Sequence, residues 1–162
     1  MEKTGKPRRT LIVGVGNLLR GDDGLGPTAV KVLESMKLPP WVEVEDLGSA
    51  PHNLISDRLK DYDKIIFIDT VKRGSNPGTI HRFRPETGKL EGETLEETFS
   101  LHETGIPEIL RLNKLLGFLP SDIVIMGCEP SRVEEYSIGL SKPVRRSLPK
   151  LLYLVLLEIL QE

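Results

Sequence analysis

A glycine-rich, acidic segment near the start of the chain has residue types that could bind an ion or a nucleotide. It reads Gly14-Val-Gly-Asn-Leu-Leu-Arg-Gly-Asp-Asp-Gly-Leu-Gly26. A dinucleotide-binding fingerprint needs its third glycine at position 19, which is Leu19. A phosphate-binding loop needs Lys and Ser or Thr where Asp22 and Asp23 stand, and two carboxylates would repel a phosphate. The acidic pair therefore favours a cation.

Two further side chains could join Asp23 in such a cation site. Asp69 ends the apolar run Ile65-Ile-Phe-Ile68, and His102 stands just before a predicted helix. Carboxyl ends of parallel strands are where ligands bind in α/β sheets, so a carboxylate at that position suggests function. Two carboxylates with one imidazole suit nickel, zinc or manganese better than calcium.

Each of these residues also has a purely structural interpretation. An aspartate just before a helix commonly caps it, so Asp22 or Asp23 could simply be a capping residue. One of the two could also cap the helix while the other binds a ligand. Asp69 could accept hydrogen bonds from the turn amides of residues 71–74. His102 could be a surface or capping histidine.

Composition excludes several classes of function. The 162 residues have the length of one ordinary domain, and we expect a single domain over residues 1–162 with a flexible tail over residues 1–9. A net charge of −2 gives no electrostatic reason to bind nucleic acid or a membrane. One cysteine excludes an internal disulfide framework. Lacking a signal peptide or an apolar run long enough to span a membrane, the protein is expected in the cytoplasm.

Alternating strand-like and helical segments must position the candidate residues. Strands are predicted at Thr10–Val15, Val42–Leu47, Lys64–Asp69, Thr79–Arg84 and Asp122–Gly127. Helices are predicted at Leu25–Met36, His52–Leu59, Glu103–Leu116 and Ser141–Leu160, the last restarted or kinked at Pro149, and Glu86–Thr98 is predicted as a surface loop. This alternation predicts an α/β domain with a mostly parallel sheet and helices on both faces.

At these motifs the sequence resembles the hydrogenase maturation endopeptidases, which process the large subunit of nickel–iron hydrogenases. The resemblance covers most of the chain. It rests on the segment from Gly14 to Gly26, the strand ending in Asp69, and Ser100-Leu-His-Glu-Thr104, with Gly127-Cys-Glu-Pro130 and Gly139-Leu-Ser141 nearer the end. It implies a three-layer α/β/α sandwich with a mostly parallel central sheet.

The resemblance also implies a site, a substrate and an activity. Asp23 (a position that is Glu in some members), Asp69 and His102 would bind nickel and carry the catalysis. The nickel would arrive with the hydrogenase large-subunit precursor rather than stay bound to the enzyme. The reaction would remove a short C-terminal extension after nickel insertion. Apart from the resemblance, we expect a monomer or a weak homodimer.

The nucleophile is less clearly marked by the sequence. No Gly-x-Ser-x-Gly elbow is present, so a serine triad has no support. Cys128 follows an apolar strand, but Glu129 beside it disfavours a thiolate, and a structural cysteine is expected. A metal-assisted water is then the most economical nucleophile, with an acidic residue taking its proton. Two alternatives remain: the three ligands only recognise nickel, or the protein is a non-catalytic, metal-dependent chaperone of the precursor.

Overall fold

A computed structural model describes residues 6–87, 105–131, 133 and 136–161, and five strands within these residues form one sheet. The strands are β1 (Thr10–Val15), β2 (Val42–Gly48), β3 (Lys64–Thr70), β4 (Ile80–Phe83) and β5 (Asp122–Cys128). Their order in the sheet is β2-β1-β3-β5-β4. All neighbours are parallel except β4, which runs antiparallel to β5. The prediction of a mostly parallel sheet is confirmed.

Helices cover both faces of this sheet. They are α1 (Leu25–Glu34), α2 (Ile106–Leu115) and α3 (Lys142–Leu160). α1 and α3 contribute to one buried apolar cluster, and α2 contributes to another on the opposite face of the sheet. The result is the predicted three-layer α/β/α sandwich.

The central strands are apolar on both faces because each face packs under helices. In β3, Ile65 and Phe67 belong to the cluster under α2, whereas Ile66 and Ile68 belong to the cluster under α1 and α3. The edge strand β2 has Leu47 as its one buried residue. Its alternation of apolar and acidic residues correctly predicts an edge position.

Glycine at two positions allows α1 to lie directly on the sheet. A Cβ on Gly26 would stand 2.3 Å from the Val15 carbonyl oxygen and 2.6 Å from that of Ile68. A Cβ on Gly14 would stand 2.5 Å from a Val30 methyl group. The segment that joins β1 to α1 is therefore held tightly over the carboxyl ends of β1 and β3.

Two predicted helices differ in detail from the structure. The segment His52–Leu59 forms two separate 3-10 turns, Pro51–Leu54 and Asp57–Asp61, because Ile55 is extended between them. α3 runs through Pro149 as a single helix. Pro149 is exposed, so water can satisfy the carbonyl group that the missing proline N–H leaves unbonded.

The N-terminal tail is anchored at its inner end. The Arg9 backbone N–H donates to Asp63 Oδ2 at 2.8 Å, and the Arg8 guanidinium donates to the Asp63 carbonyl at 3.2 Å. These contacts join Arg8 and Arg9 to Asp63, and the flexible tail over residues 1–9 stays a prediction. Residues 1–5, and the predicted surface loop from residue 88 onward, lie outside the described residues. No helix in the described ranges has the length and apolar character needed to cross a membrane.

Candidate functional site

The loop that follows β1 folds back on itself and fixes Asp23. The Asn17 N–H donates to both the carbonyl oxygen of Asp23, at 3.0 Å, and its carboxylate Oδ2, at 3.1 Å. Gly16 has a φ of +135°, and a Cβ there would lie 1.9 Å from the Asp23 carbonyl oxygen. Only glycine fits that close approach, so the glycine-rich motif serves to place Asp23.

The two adjacent aspartates have different partners, and neither occupies the N-cap position of α1. The N-cap of α1 is Gly24, with no side-chain hydrogen bond. The Asp22 carboxylate is fully buried and accepts hydrogen bonds from Ser131 N, Ser141 N and Ser141 Oγ at 2.8, 2.6 and 2.8 Å. The capping interpretation is therefore wrong for the N-cap position itself, and the hydrogen bonds described here join Asp22 and Asp23 to their own loop and to residues more than 100 positions away.

Asp69 lies one residue before the end of β3 and is completely buried. Its Oδ1 accepts a hydrogen bond from the Thr70 N–H at 2.7 Å. The amides of Arg73 and Gly74, which were alternative partners for Asp69, donate instead to the carboxylate of Glu129, at 2.9 and 3.1 Å. The prediction that the turn amides hold the Asp69 carboxylate is therefore wrong for Arg73 and Gly74.

Asp23 and Asp69 come from adjacent elements at one edge of the sheet. β1 and β3 pair in parallel, with Gly14 opposite Ile68, and the turn Gly21–Gly24 contacts β3. His102 lies outside the described residues. Within the residues that are described, no three His, Cys, Asp or Glu side chains form a metal-type cluster. The structure therefore brings the elements bearing the two aspartates together, and the role of the three predicted residues stays a prediction.

A cleft opens beside Asp23 at this edge. It has a volume of about 80 Å³, and its lining includes Asn17, Arg20, Asp23 and Ser49. Arg20 and Asn17 also line a larger neighbouring cleft of about 360 Å³. The sequence motif contains Arg20, but its position on both clefts emerges only from the folded loop.

Cys128 is buried in the core under α1 and α3, as expected for a structural cysteine. Burial raises the pKa of its thiol to about 11, with smaller contributions from the charges of Asp22 and Glu129. A thiol with such a pKa stays protonated at neutral pH and is a poor nucleophile. The structural prediction for Cys128 is confirmed.

Glu129 has a structural role that sequence reasoning missed. Besides the two amides of Arg73 and Gly74, its carboxylate contacts His81 Nε2 at 3.0 Å, and both side chains are buried. Glu129 therefore holds the turn after β3 against the end of β5. An acidic residue directly after a buried strand was the signal that could have indicated this role.

Comparison with known proteins defines the class of this chain. A family model described as hydrogenase maturation protease matches residues 27–158. The chain therefore belongs to the hydrogenase maturation protease family and is a peptidase. The matched range includes Asp69 and begins after Asp23.

Individual relatives and solved structures agree with this assignment. The hydrogenase expression/formation protein HoxM of Azotobacter vinelandii is 34% identical over 154 residues, covering 94% of this chain and 72% of HoxM. The crystal structure of a hydrogenase 2 maturation peptidase from a Thaumarchaeota archaeon is 37% identical with a TM-score of 0.72, covering 94% and 98% of the two chains. The endopeptidase HybD of E. coli is 29% identical with a TM-score of 0.78, covering 93% of this chain and 91% of HybD.

Proposed function

We propose that this peptidase removes the C-terminal extension of a nickel–iron hydrogenase large-subunit precursor once nickel has been inserted. The observation that carries the proposal is the placement of Asp23: its loop holds it rigidly beside a cleft, next to the strand that bears Asp69. Parallel sheets bind their ligands at this edge. Membership of the hydrogenase maturation protease family supplies the substrate class.

In this proposal the nickel is part of the substrate. Asp23, Asp69 and His102 offer two carboxylates and one imidazole, a donor set that nickel accepts. One histidine and two aspartates make a weak site, which suits the transient inspection of a metal that the precursor already holds. Precursor without nickel would then lack the anchor that positions its scissile bond. We propose that the reaction takes place in the cytoplasm.

The peptide bond is hydrolysed by water. The nickel of the precursor polarises the scissile carbonyl group or the attacking water. One of the two aspartates takes a proton from the water as its oxygen bonds to the carbonyl carbon. When the C–N bond breaks, the proton passes to the leaving amine, and the products are the trimmed subunit and a free peptide.

Trimming of the purified precursor tests this function directly. Nickel-loaded and nickel-free precursor are incubated with the protein, and loss of the C-terminal peptide is followed by mass spectrometry. We expect trimming of the nickel-loaded precursor alone. A stable complex without a change in mass would support the chaperone alternative and contradict the proposal.

Substitutions at the three residues test the proposed site. Asp23→Ala, Asp69→Ala and His102→Ala should each abolish trimming, whereas Asp57→Ala, which removes an exposed carboxylate, should not. Asp69→Asn keeps the shape of a fully buried side chain, so it separates loss of chemistry from loss of folding. Normal trimming by the double variant Asp69→Ala/His102→Ala would overturn the assignment. Variants that still bind nickel-loaded precursor but do not cut it would assign these residues to catalysis rather than to recognition.

A further inference from the structure

Two chain segments that meet beside the Asp23 cleft carry large, exposed apolar side chains. Leu19 is 53% exposed, Tyr136 89% and Ile138 81%. We call these three residues the rim patch. Two separate segments of the chain supply them, and exposed apolar side chains gathered at one place commonly mark a binding surface.

Backbone contacts hold the two segments together. The Gly21 N–H donates to the Ser137 carbonyl at 2.6 Å, and Arg20 forms a parallel β-bridge with Ser137. Asp22 accepts hydrogen bonds from Ser131 and Ser141, on either side of this bridge in the sequence. The rim patch is therefore fixed to the same short loop that positions Asp23.

The backbone of Tyr136, whose ring is exposed, is strained. Its φ is +58°, the one positive value at a non-glycine residue among those described. A bulky side chain rarely adopts this left-handed conformation, and such strain is concentrated at functional sites. The bridge at the next residue, Ser137, holds the chain there.

The rim patch leads into the candidate site. Leu19 and Tyr136 line the cleft of about 360 Å³ together with Asn17 and Arg20, and the last two also line the smaller Asp23 cleft. The larger space accommodates side chains of a bound polypeptide, and the smaller one adjoins the carboxylate. A single extended segment could lie along both.

We propose that the rim patch binds an extended, apolar segment of the hydrogenase precursor next to the scissile bond. This inference rests on the proposed function and adds a substrate-docking surface to it. Continuity with the Asp23 cleft favours the substrate over a second copy of this chain, because a copy seated on the patch would cover the entrance to the site. Apolar contacts at the patch would strengthen precursor binding without taking part in bond cleavage.

Steady-state trimming of nickel-loaded precursor by the double variant Tyr136→Ser/Ile138→Ser tests the proposal. Loss of two apolar contacts should raise KM by about 10-fold or more and leave kcat nearly unchanged. The matched control is Tyr153→Ser/Leu115→Ser, which removes one tyrosine and one aliphatic side chain that are exposed at 60% and 82% on α3 and α2. Its KM should equal that of the unmodified protein. Tyr136→Phe keeps the ring and should keep the KM.

The outcomes separate this inference from the proposed function. If the unmodified protein does not trim the precursor, the proposed function is wrong. If it trims, and the rim variant has an unchanged KM or a lower kcat at constant KM, the docking surface is wrong and the function stands. If the rim variant instead elutes as a smaller species in gel filtration while its KM is unchanged, the patch is an interface between copies of this chain.

Discussion

At the scale of single residues, the adjacent aspartates Asp22 and Asp23 have different structural roles. Asp23 lies on a cleft, and its carboxylate is held by the amide of Asn17. Asp22 is turned into the protein and joins the loop to Ser131 and Ser141. We infer that Asp22 keeps the loop rigid so that Asp23 keeps its orientation.

Asp22→Asn should destabilise the protein although it preserves the shape of the side chain. Oδ1 and Oδ2 each accept a hydrogen bond from a backbone N–H, so the amide group of asparagine would face a donor in either orientation. Leaving these groups unsatisfied should lower the free energy of unfolding by about 2–3 kcal/mol.

Urea unfolding measures this change. Ser141→Ala is the matched control: it removes only the Oγ hydrogen bond and keeps both backbone donors, so a loss of about 1 kcal/mol is expected. Equal stability of Asp22→Asn and the unmodified protein would show that Asp22 is not needed to join the loop to these segments.

At the scale of elements, the site depends on how closely α1 approaches the sheet. Gly26 lies against the backbone of both β1 and β3, and the turn bearing the aspartates directly precedes it. Any side chain at this position would push α1 outward and carry that turn with it. The glycines of the motif therefore have a packing role as well as a conformational one.

Gly26→Ala should lower the free energy of unfolding by about 3 kcal/mol or more, since the new methyl group would meet backbone atoms that cannot rotate away. Gly117→Ala is the control, because Gly117 has a φ of +70° but nothing within 4 Å of an added Cβ. Backbone strain alone should cost the control about 1 kcal/mol. Thermal or urea unfolding distinguishes the two, and equal losses would contradict the close-packing explanation.

At the scale of the whole molecule, charged groups are divided between the two edges of the sheet. At the amino-terminal edge, Lys64 Nζ lies 3.1 Å from Glu158 Oε1 and 3.4 Å from Asp122 Oδ2. Arg82 and Arg84 reach Glu158 at 2.6 and 3.1 Å. This cluster joins α3 to β3, β4 and β5 at the edge opposite the candidate site.

The charge of Glu158 makes stability depend on pH. Burial acts to raise the pKa of Glu158, but hydrogen bonds from Arg82 and Lys64 and the charges of these residues hold it below its ordinary value of 4.5. Because the folded-state pKa is lowered, the stabilisation is present above pH 4.5 and is lost as the pH falls through the folded-state value.

Glu158→Gln should therefore destabilise the protein by about 3 kcal/mol at pH 7, because Lys64 is left buried with an incomplete set of partners. The difference from the unmodified protein should shrink below pH 4.5, where Glu158 itself becomes protonated. Urea unfolding at several pH values measures both effects, with the exposed Glu34→Gln as control. A difference that stays constant down to pH 3 would contradict this account.

The sequence alone indicated most of the secondary structure and the class of the sheet, and it predicted where the site lies. β1, β3 and β5 are recognisable because strands covered on both faces must be continuously apolar. The Gly14–Gly26 segment, with Asp69 at a strand end, indicated the carboxyl edge. These features are local: residue type and periodicity along a few positions decide them.

Only the tertiary structure decided which side chains meet. In the folded chain Asp22 accepts hydrogen bonds from Ser131 and Ser141. The amides of the turn after β3 donate to Glu129 and not to Asp69. Leu19 and Tyr136 line the same cleft. The partners of Asp22 and Leu19 lie more than 100 residues away in the sequence, and those of Glu129 lie 55 and 56 residues away. The same local sequence pattern is compatible with several such partners. A buried carboxylate accepts hydrogen bonds from whichever donors the packing of the chain brings within reach. The spacing of residues in the sequence does not indicate which donors those are.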